Sequence, residues 1–163
     1  MRFLLLSLLL LTGTTRLPAD APAPAPVIIR NLPYVSNGHE RQKLDLFIPA
    51  NVTGAAPLLI WIHGGAWKEG SKENCPAVGM VGKGWVVASL NYRLSQQAVF
   101  PAQLEDCKAA LRFLRAHAAD YHIDTNRVAA WGASAGGHLV ALLGVTSKTR
   151  EFDVGAHLER HSE

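Results

Sequence analysis

Between residues 27 and 145, apolar and polar positions alternate between two periods. Two β-rich runs come first, Val27 to Val35 and Gln42 to Ile48. In the second, Lys43, Asp45 and Phe47 interleave with Leu44, Leu46 and Ile48. With Ser36-Asn37-Gly38 between them, they predict an antiparallel hairpin with a polar turn. Leu58-Leu59-Ile60-Trp61-Ile62 follows as an unbroken apolar run, as do Trp85 to Leu90 and Val128 to Trp131. Unbroken runs of this length are the pattern of strands buried on both faces of a mainly parallel sheet.

The intervening segments have helical spacing. Ser71 to Val81 predicts a short helix stopped by Gly82-Lys83-Gly84. Pro101 to Ala119 predicts a longer one, with Leu104, Cys107, Leu111, Leu114 and Ala118 on one face. Glu105, Asp106, Lys108, Arg112 and Arg115 fall on the other face. A third apolar helix, with Leu139, Leu142 and Leu143, follows the last strand. Strands joined by crossover helices give an α/β fold, here with an N-terminal antiparallel hairpin.

The N-terminus reads differently. Arg2, the apolar stretch Phe3 to Leu11 and the small residues of Ala19-Asp20-Ala21 have the form of a secretory signal peptide over residues 1–21. An Ala/Pro linker occupies 22–26, and the folded domain is expected over 27–163. The expected location is therefore secreted or periplasmic, with no membrane association once the leader is removed. No stretch reaches the ~18 apolar residues that a spanning helix needs.

Composition narrows the function classes. The chain has 163 residues, 48% hydrophobic and 18% charged, as one globular domain would. Sixteen Lys and Arg oppose 13 Asp and Glu, and this net +3 is dispersed, which argues against a nucleic-acid surface. In an exported protein Cys75 and Cys107 are either one disulfide or two separate buried thiols; they lack metal-ligand spacing.

The chemistry sits where the last buried run ends. Gly132-Ala133-Ser134-Ala135-Gly136 is G-x-S-x-G, placed after a strand and before a helix. The pentapeptide alone is a weak signal, but in this context it predicts a nucleophile elbow that lifts the Ser134 hydroxyl above the sheet edge. Gly132 and Gly136 are expected because side chains there would collide across the turn. A second motif, His63-Gly64-Gly65-Ala66-Trp67, follows the first buried run. Such a loop supplies one half of an oxyanion hole, and Ala135 N–H supplies the other. Each donor is worth about 3 kcal/mol in the transition state. His63 is expected to orient the loop from beneath, as a buried structural histidine, rather than to act as base.

These segments, LLIWIHGGAWKEGSK, GWVVASLNYRLS and FPAQLEDCKAALRFLRAHAADYHIDTNRVAAWGASAGGHLVALLG, resemble in order and spacing the α/β-hydrolase esterases of the hormone-sensitive-lipase-like and BD-FAE-like type. The resemblance runs from about Gln42 to Gly144. It implies Ser134 as nucleophile and Gly65, Ala66 and Ala135 as oxyanion donors. It also implies hydrolysis of a carboxylic ester through an acyl-enzyme, without metal or organic cofactor. The implied substrate is a small-molecule or carbohydrate-linked ester. It favours a Cys75–Cys107 bridge as well.

One departure is marked. In this fold the triad runs Ser, then Asp or Glu, then His. After Ser134 the sequence offers only Glu151, Asp153, Glu159 and Glu163 with His157 and His161, too close for two more βα units to intervene. Asp153 and His157 are expected to belong to a solvated polar tail. His138, one turn into the helix behind Ser134, is expected to point away from the substrate side, and His39, His117 and His122 have no assigned chemistry. The expectation is thus an α/β-hydrolase whose C-terminal strands, triad acid and histidine are missing, with the Val128 to Trp131 strand left as an exposed edge. The alternative is a non-catalytic hydrolase-like module or an inactive fragment.

Overall fold

The computed structural model describes residues 24–157. The expected leader 1–21 lies outside them, as do Glu159, His161 and Glu163. Among these residues five strands form one sheet: β1 (Val27–Pro33), β2 (Lys43–Ile48), β3 (Ala56–Ile62), β4 (Val86–Leu90) and β5 (Ile123–Gly132). Their spatial order is β1-β2-β4-β3-β5. Only β2 runs against the others, so β4-β3-β5 is parallel and the N-terminal pair antiparallel. The architecture is that of an α/β-hydrolase, with a mixed sheet.

Helices α1 (Ala102–Ala116) and α2 (Ala135–Val145) cover one face. Leu44, Leu46, Leu58, Ile60 and Leu90 meet Leu104, Leu111, Leu114, Leu139 and Leu143 there in the main core. The opposite face carries Phe47, Leu59, Trp61 and Val87 under a 3₁₀ helix, Pro76–Lys83. A continuous α-helix over 71–81 does not form. Lys72 N–H is held by Asn91 Oδ1 (2.8 Å) and Lys72 C=O accepts from Ser89 Oγ (2.7 Å), which ties this stretch to the end of β4.

Alternation puts the two cysteines on opposite sides of the sheet. Cys107 lies in the main core, and Cys75 packs with the cluster under the 3₁₀ helix. Both are free thiols, so the expected bridge does not form. Although their helices follow adjacent strands, those helices cross opposite faces.

The polar face of α1 is not a solvent face. Asp106 is 1% exposed, and Lys108 and Arg112 are 0% exposed. Asp106 accepts from the backbone N–H (2.8 Å) and Nη2 (2.7 Å) of Arg93 and from Nε2 of Gln42 (2.7 Å). Asp153 closes the other end, accepting from Lys108 Nζ at 3.1 Å and Arg112 Nη1 at 3.0 Å. The tail expected to be solvated therefore docks on α1. A carboxylate brought to two buried cations removes the cost of leaving them unpaired. His157 follows it, edge-on to Phe113 and His117.

On its outer side β5 pairs with no strand among the described residues. Trp131 is 46% exposed there, edge-to-face with Trp61. A groove of about 430 Å³ lies along the same strand, floored by Ile60, Leu111, Val140 and Leu143.

Candidate active site

Three parallel strands end at one edge of the sheet, and their connections form the site. Ligands in open α/β sheets bind at the carboxyl ends of strands. After β5 the chain turns through Ala133 and Ser134 into α2. Ser134 caps that helix with φ 51° and ψ −117°. A non-glycine residue at positive φ costs on the order of 1–3 kcal/mol and persists only where packing imposes it. The imposing contacts are glycines. A Cβ on Gly132 would enter the backbone of Gly136, and one on Gly136 would enter the carbonyls of Ile62 and His63. Thus α2 starts directly against the end of β3, and Ser134 is exposed above it.

The loop after β3 closes on this turn. A Cβ on Gly64 would stand 2.7 Å from the Ala133 carbonyl oxygen and 3.4 Å from Ser134 Cβ. Gly65, Ala66 and Trp67 follow with φ of 106°, 50° and 59°. Three successive left-handed residues curl the backbone into a turn, closed by Lys68 and Glu69 N–H donating to Gly65 C=O at 2.9 and 3.0 Å. The N–H groups of Gly65 and Ala66 have no acceptor among the described residues. Ala135 N–H, at the first position of α2, has no intrahelical partner either. The three expected oxyanion donors thus come from the two segments that flank Ser134.

His63 lies beneath the loop, 4% exposed and stacked on Tyr92 at 4.4 Å. Its Nδ1 is 2.7 Å from Gly64 O, and its Nε2 is 3.2 Å from Arg41 Nη2. Burial holds the imidazole below its ordinary pKa, and the nearby guanidinium adds to that. Sequence patterns overlooked Arg41, which carries no local motif. Tyr92 belongs to the Asn91-Tyr92-Arg93 stretch, visible only through the resemblance.

His138 departs from expectation. Four residues after Ser134 it lies on the same side of α2, because residues at i and i+4 share a helix face. Its ring stands edge-on to Trp67 at 5.3 Å. With Ala66, Ser95, Phe100 and Gln103 it borders a pocket of about 340 Å³ beside the loop that follows β3. Among the described residues no imidazole hydrogen-bonds the Ser134 hydroxyl. His122 precedes β5 and His117 caps the end of α1, so both lie at the opposite end of the sheet. His157 packs on His117 there, and His39 accepts from Arg41 N–H within the hairpin turn. Among the described residues no three His, Cys, Asp or Glu side chains converge to hold a metal. No helix among them is long and apolar enough to cross a membrane.

Comparison with known proteins places this arrangement. The BD-FAE family model matches residues 44–163, well over half of the chain. The carboxylic ester hydrolase LipM of Mycobacterium tuberculosis, named as probable, is 37% identical over 108 residues, covering 64% of this chain and 25% of LipM. Esterase LipQ of the same organism is 34% identical over 130 residues, covering 77% of this chain and 31% of LipQ. A solved structure described as a truncated form of a carbohydrate esterase from gut microbiota superposes with a TM-score of 0.77 at 31% identity. That match covers 88% of this chain and 55% of the other. The chain therefore spans only a quarter to a third of the length of these curated relatives. The chain belongs to the BD-FAE family of α/β-hydrolase esterases.

Proposed function

We propose that the protein is a serine carboxylic-ester hydrolase. Ser134 Oγ adds to the ester carbonyl carbon and gives its proton to a general base. The carbonyl oxygen becomes an oxyanion, which accepts from the N–H groups of Gly65, Ala66 and Ala135. Collapse expels the alcohol with the returned proton and leaves an acyl group on Ser134, which water then removes by the same steps. The observation that carries this reading is the left-handed backbone of Ser134 at the start of α2, pressed against Gly64. A strained serine held beside unpaired N–H groups has a chemical use and a structural cost.

The base and its carboxylate belong, in this proposal, to segments that extend the sheet past β5. The open outer side of β5 and the apolar groove beside it support that placement. The same open edge supports a second reading, a hydrolase-like module completed by another chain. The substrate class proposed is a small-molecule or carbohydrate-linked ester, supported by the similarity to a carbohydrate esterase. Export is proposed on Arg2, the Phe3–Leu11 stretch and Ala19-Asp20-Ala21. N-terminal sequencing of secreted material should begin near Pro22, and retention of Met1 would oppose export.

Trapping the acyl group tests the catalytic reading. After incubation with p-nitrophenyl acetate and imidazole, then transfer to acid, peptide mapping should find one acetyl group on Ser134. Acetylation confined to lysines would overturn it.

A further inference from the structure

Arg41 lies in the connection between β1 and β2, far in sequence from the oxyanion loop, yet it joins both ends of that loop. Its Nε donates to Tyr92 O at 2.8 Å. Its Nη2 donates to Gly70 O at 2.9 Å and lies 3.2 Å from His63 Nε2. A guanidinium carries only donors and stays protonated, so His63 Nε2 must accept. A neutral imidazole accepting at Nε2 carries its proton on Nδ1. That proton points to Gly64 O, 2.7 Å away. Gly70 packs over this bond so closely that a Cβ there would stand 2.6 Å from His63 Nδ1.

The consequence reaches the reaction site through one peptide plane. In a trans peptide the C=O and the following N–H point in opposite directions. Drawing the Gly64 carbonyl down onto His63 therefore aims the Gly65 N–H away from His63, on the side where the loop meets Ser134. The other tautomer would place the Nδ1 lone pair against Gly64 O and push that peptide out of line. Resting on the esterase reading above, we propose that Arg41 is a positioning residue for catalysis: it fixes the His63 tautomer and thereby aims the Gly65 oxyanion donor.

The groups around His63 agree. Arg41 faces it from the hairpin connection and Tyr92 stacks on it from the end of β4, its hydroxyl donating to His63 O at 3.1 Å. Among the described residues Glu73 is the carboxylate that acts on it electrostatically, from the segment after Gly70, and Lys72 Nζ already pairs with that carboxylate at 3.1 Å. Protonating His63 would direct an Nε2–H at a guanidinium, which burial and like charge both oppose.

The test is spectroscopic first. Long-range ¹⁵N–¹H correlation on the wild-type chain should show His63 as the neutral Nδ1–H tautomer, still unprotonated below pH about 6.5, the ordinary histidine value. An Nε2–H tautomer, or titration at the ordinary value, would overturn the proposal whether or not any variant folds. In Arg41→Met the Nε2–H form should appear and His63 should titrate higher. In that variant the Ser134-dependent rate of p-nitrophenyl acetate hydrolysis, measured with imidazole, should fall at least about tenfold in kcat with little change in KM. Arg41→Lys, which keeps one donor, should recover part of both. An Arg41→Met protein with the Nδ1–H tautomer and full rate would refute the positioning role. Acetylation that misses Ser134, with the wild-type tautomer as expected, would instead refute the esterase reading alone.

Discussion

Gly136 of α2 packs directly against the carbonyl oxygen of Ile62, the last residue of β3, leaving no room for a Cβ. This contact holds the Ser134 turn at the end of β3, where the Gly64–Trp67 loop begins. Gly136→Ala should therefore separate the two halves of the site and cost about 3 kcal/mol of stability, as overpacking in a rigid core does. A urea midpoint equal to wild type would show that the contact gives way cheaply.

Asp153 ties the segment after α2 to α1. Asp153→Ala leaves Lys108 and Arg112 without this carboxylate while both stay fully buried. Removing one side of a buried ion cluster costs about 3–5 kcal/mol. Urea denaturation should record a loss of that order, and a change under 1 kcal/mol would mean that water reaches the two cations.

The thiols give a redox prediction. With Cys75 and Cys107 on opposite faces of the sheet, air oxidation should leave the intact mass of the native monomer at that of two free thiols. Ellman's reagent should find Cys75 slowly in the native protein and Cys107 only after denaturation, because burial shields both and raises both pKa values, Cys107 further. An internal disulfide in the folded monomer would contradict the placement.

Asp45 supplies a pH dependence. Burial alone would raise its pKa, but hydrogen bonds from Lys72, the Asn31 N–H and Arg30 outweigh burial and hold the carboxyl below its ordinary range. A depressed carboxylate stabilises the fold fully above the unfolded value of about 3.9, and the gain is lost as pH falls through the folded value. The stability gap between wild type and Asp45→Asn should therefore narrow below about pH 4. A gap constant through acid would show that Asp45 does not gain from ionisation.

The parts of this structure legible in the sequence were those where local pattern and tertiary demand agree. Leu58 to Ile62 is unbroken because β3 is covered on both faces, and Gly132 and Gly136 bracket Ser134 because no side chain fits there. Helical periodicity failed at Asp106, Lys108 and Arg112, since it separates polar from apolar but cannot see which loops return to cover a polar face. The partners of these residues, Arg93 and Asp153, lie in connections whose docking has no local signature. The resemblance likewise favoured a Cys75–Cys107 bridge, while nothing local in the sequence registers which sheet face each cysteine faces. Arg41 was hidden for the same reason: its role exists only once the hairpin connection reaches His63.

The central claim is that Ser134 is a nucleophile set in a formed oxyanion site whose general base lies outside the described residues. Rates of p-nitrophenyl acetate hydrolysis by the 163-residue chain and by Ser134→Ala, measured across an imidazole series, test it directly. Without imidazole the wild-type rate should sit barely above the Ser134→Ala rate, because an unassisted hydroxyl is a weak nucleophile at neutral pH. With imidazole supplying the base, the difference should grow in proportion to its concentration. Wild type equal to Ser134→Ala throughout the series would refute the nucleophile. Turnover at an ordinary enzymatic 1–10³ s⁻¹ or so without imidazole, lost in Ser134→Ala, would contradict that placement of the base and point to His138, which borders the pocket beside Ala66 and Trp67.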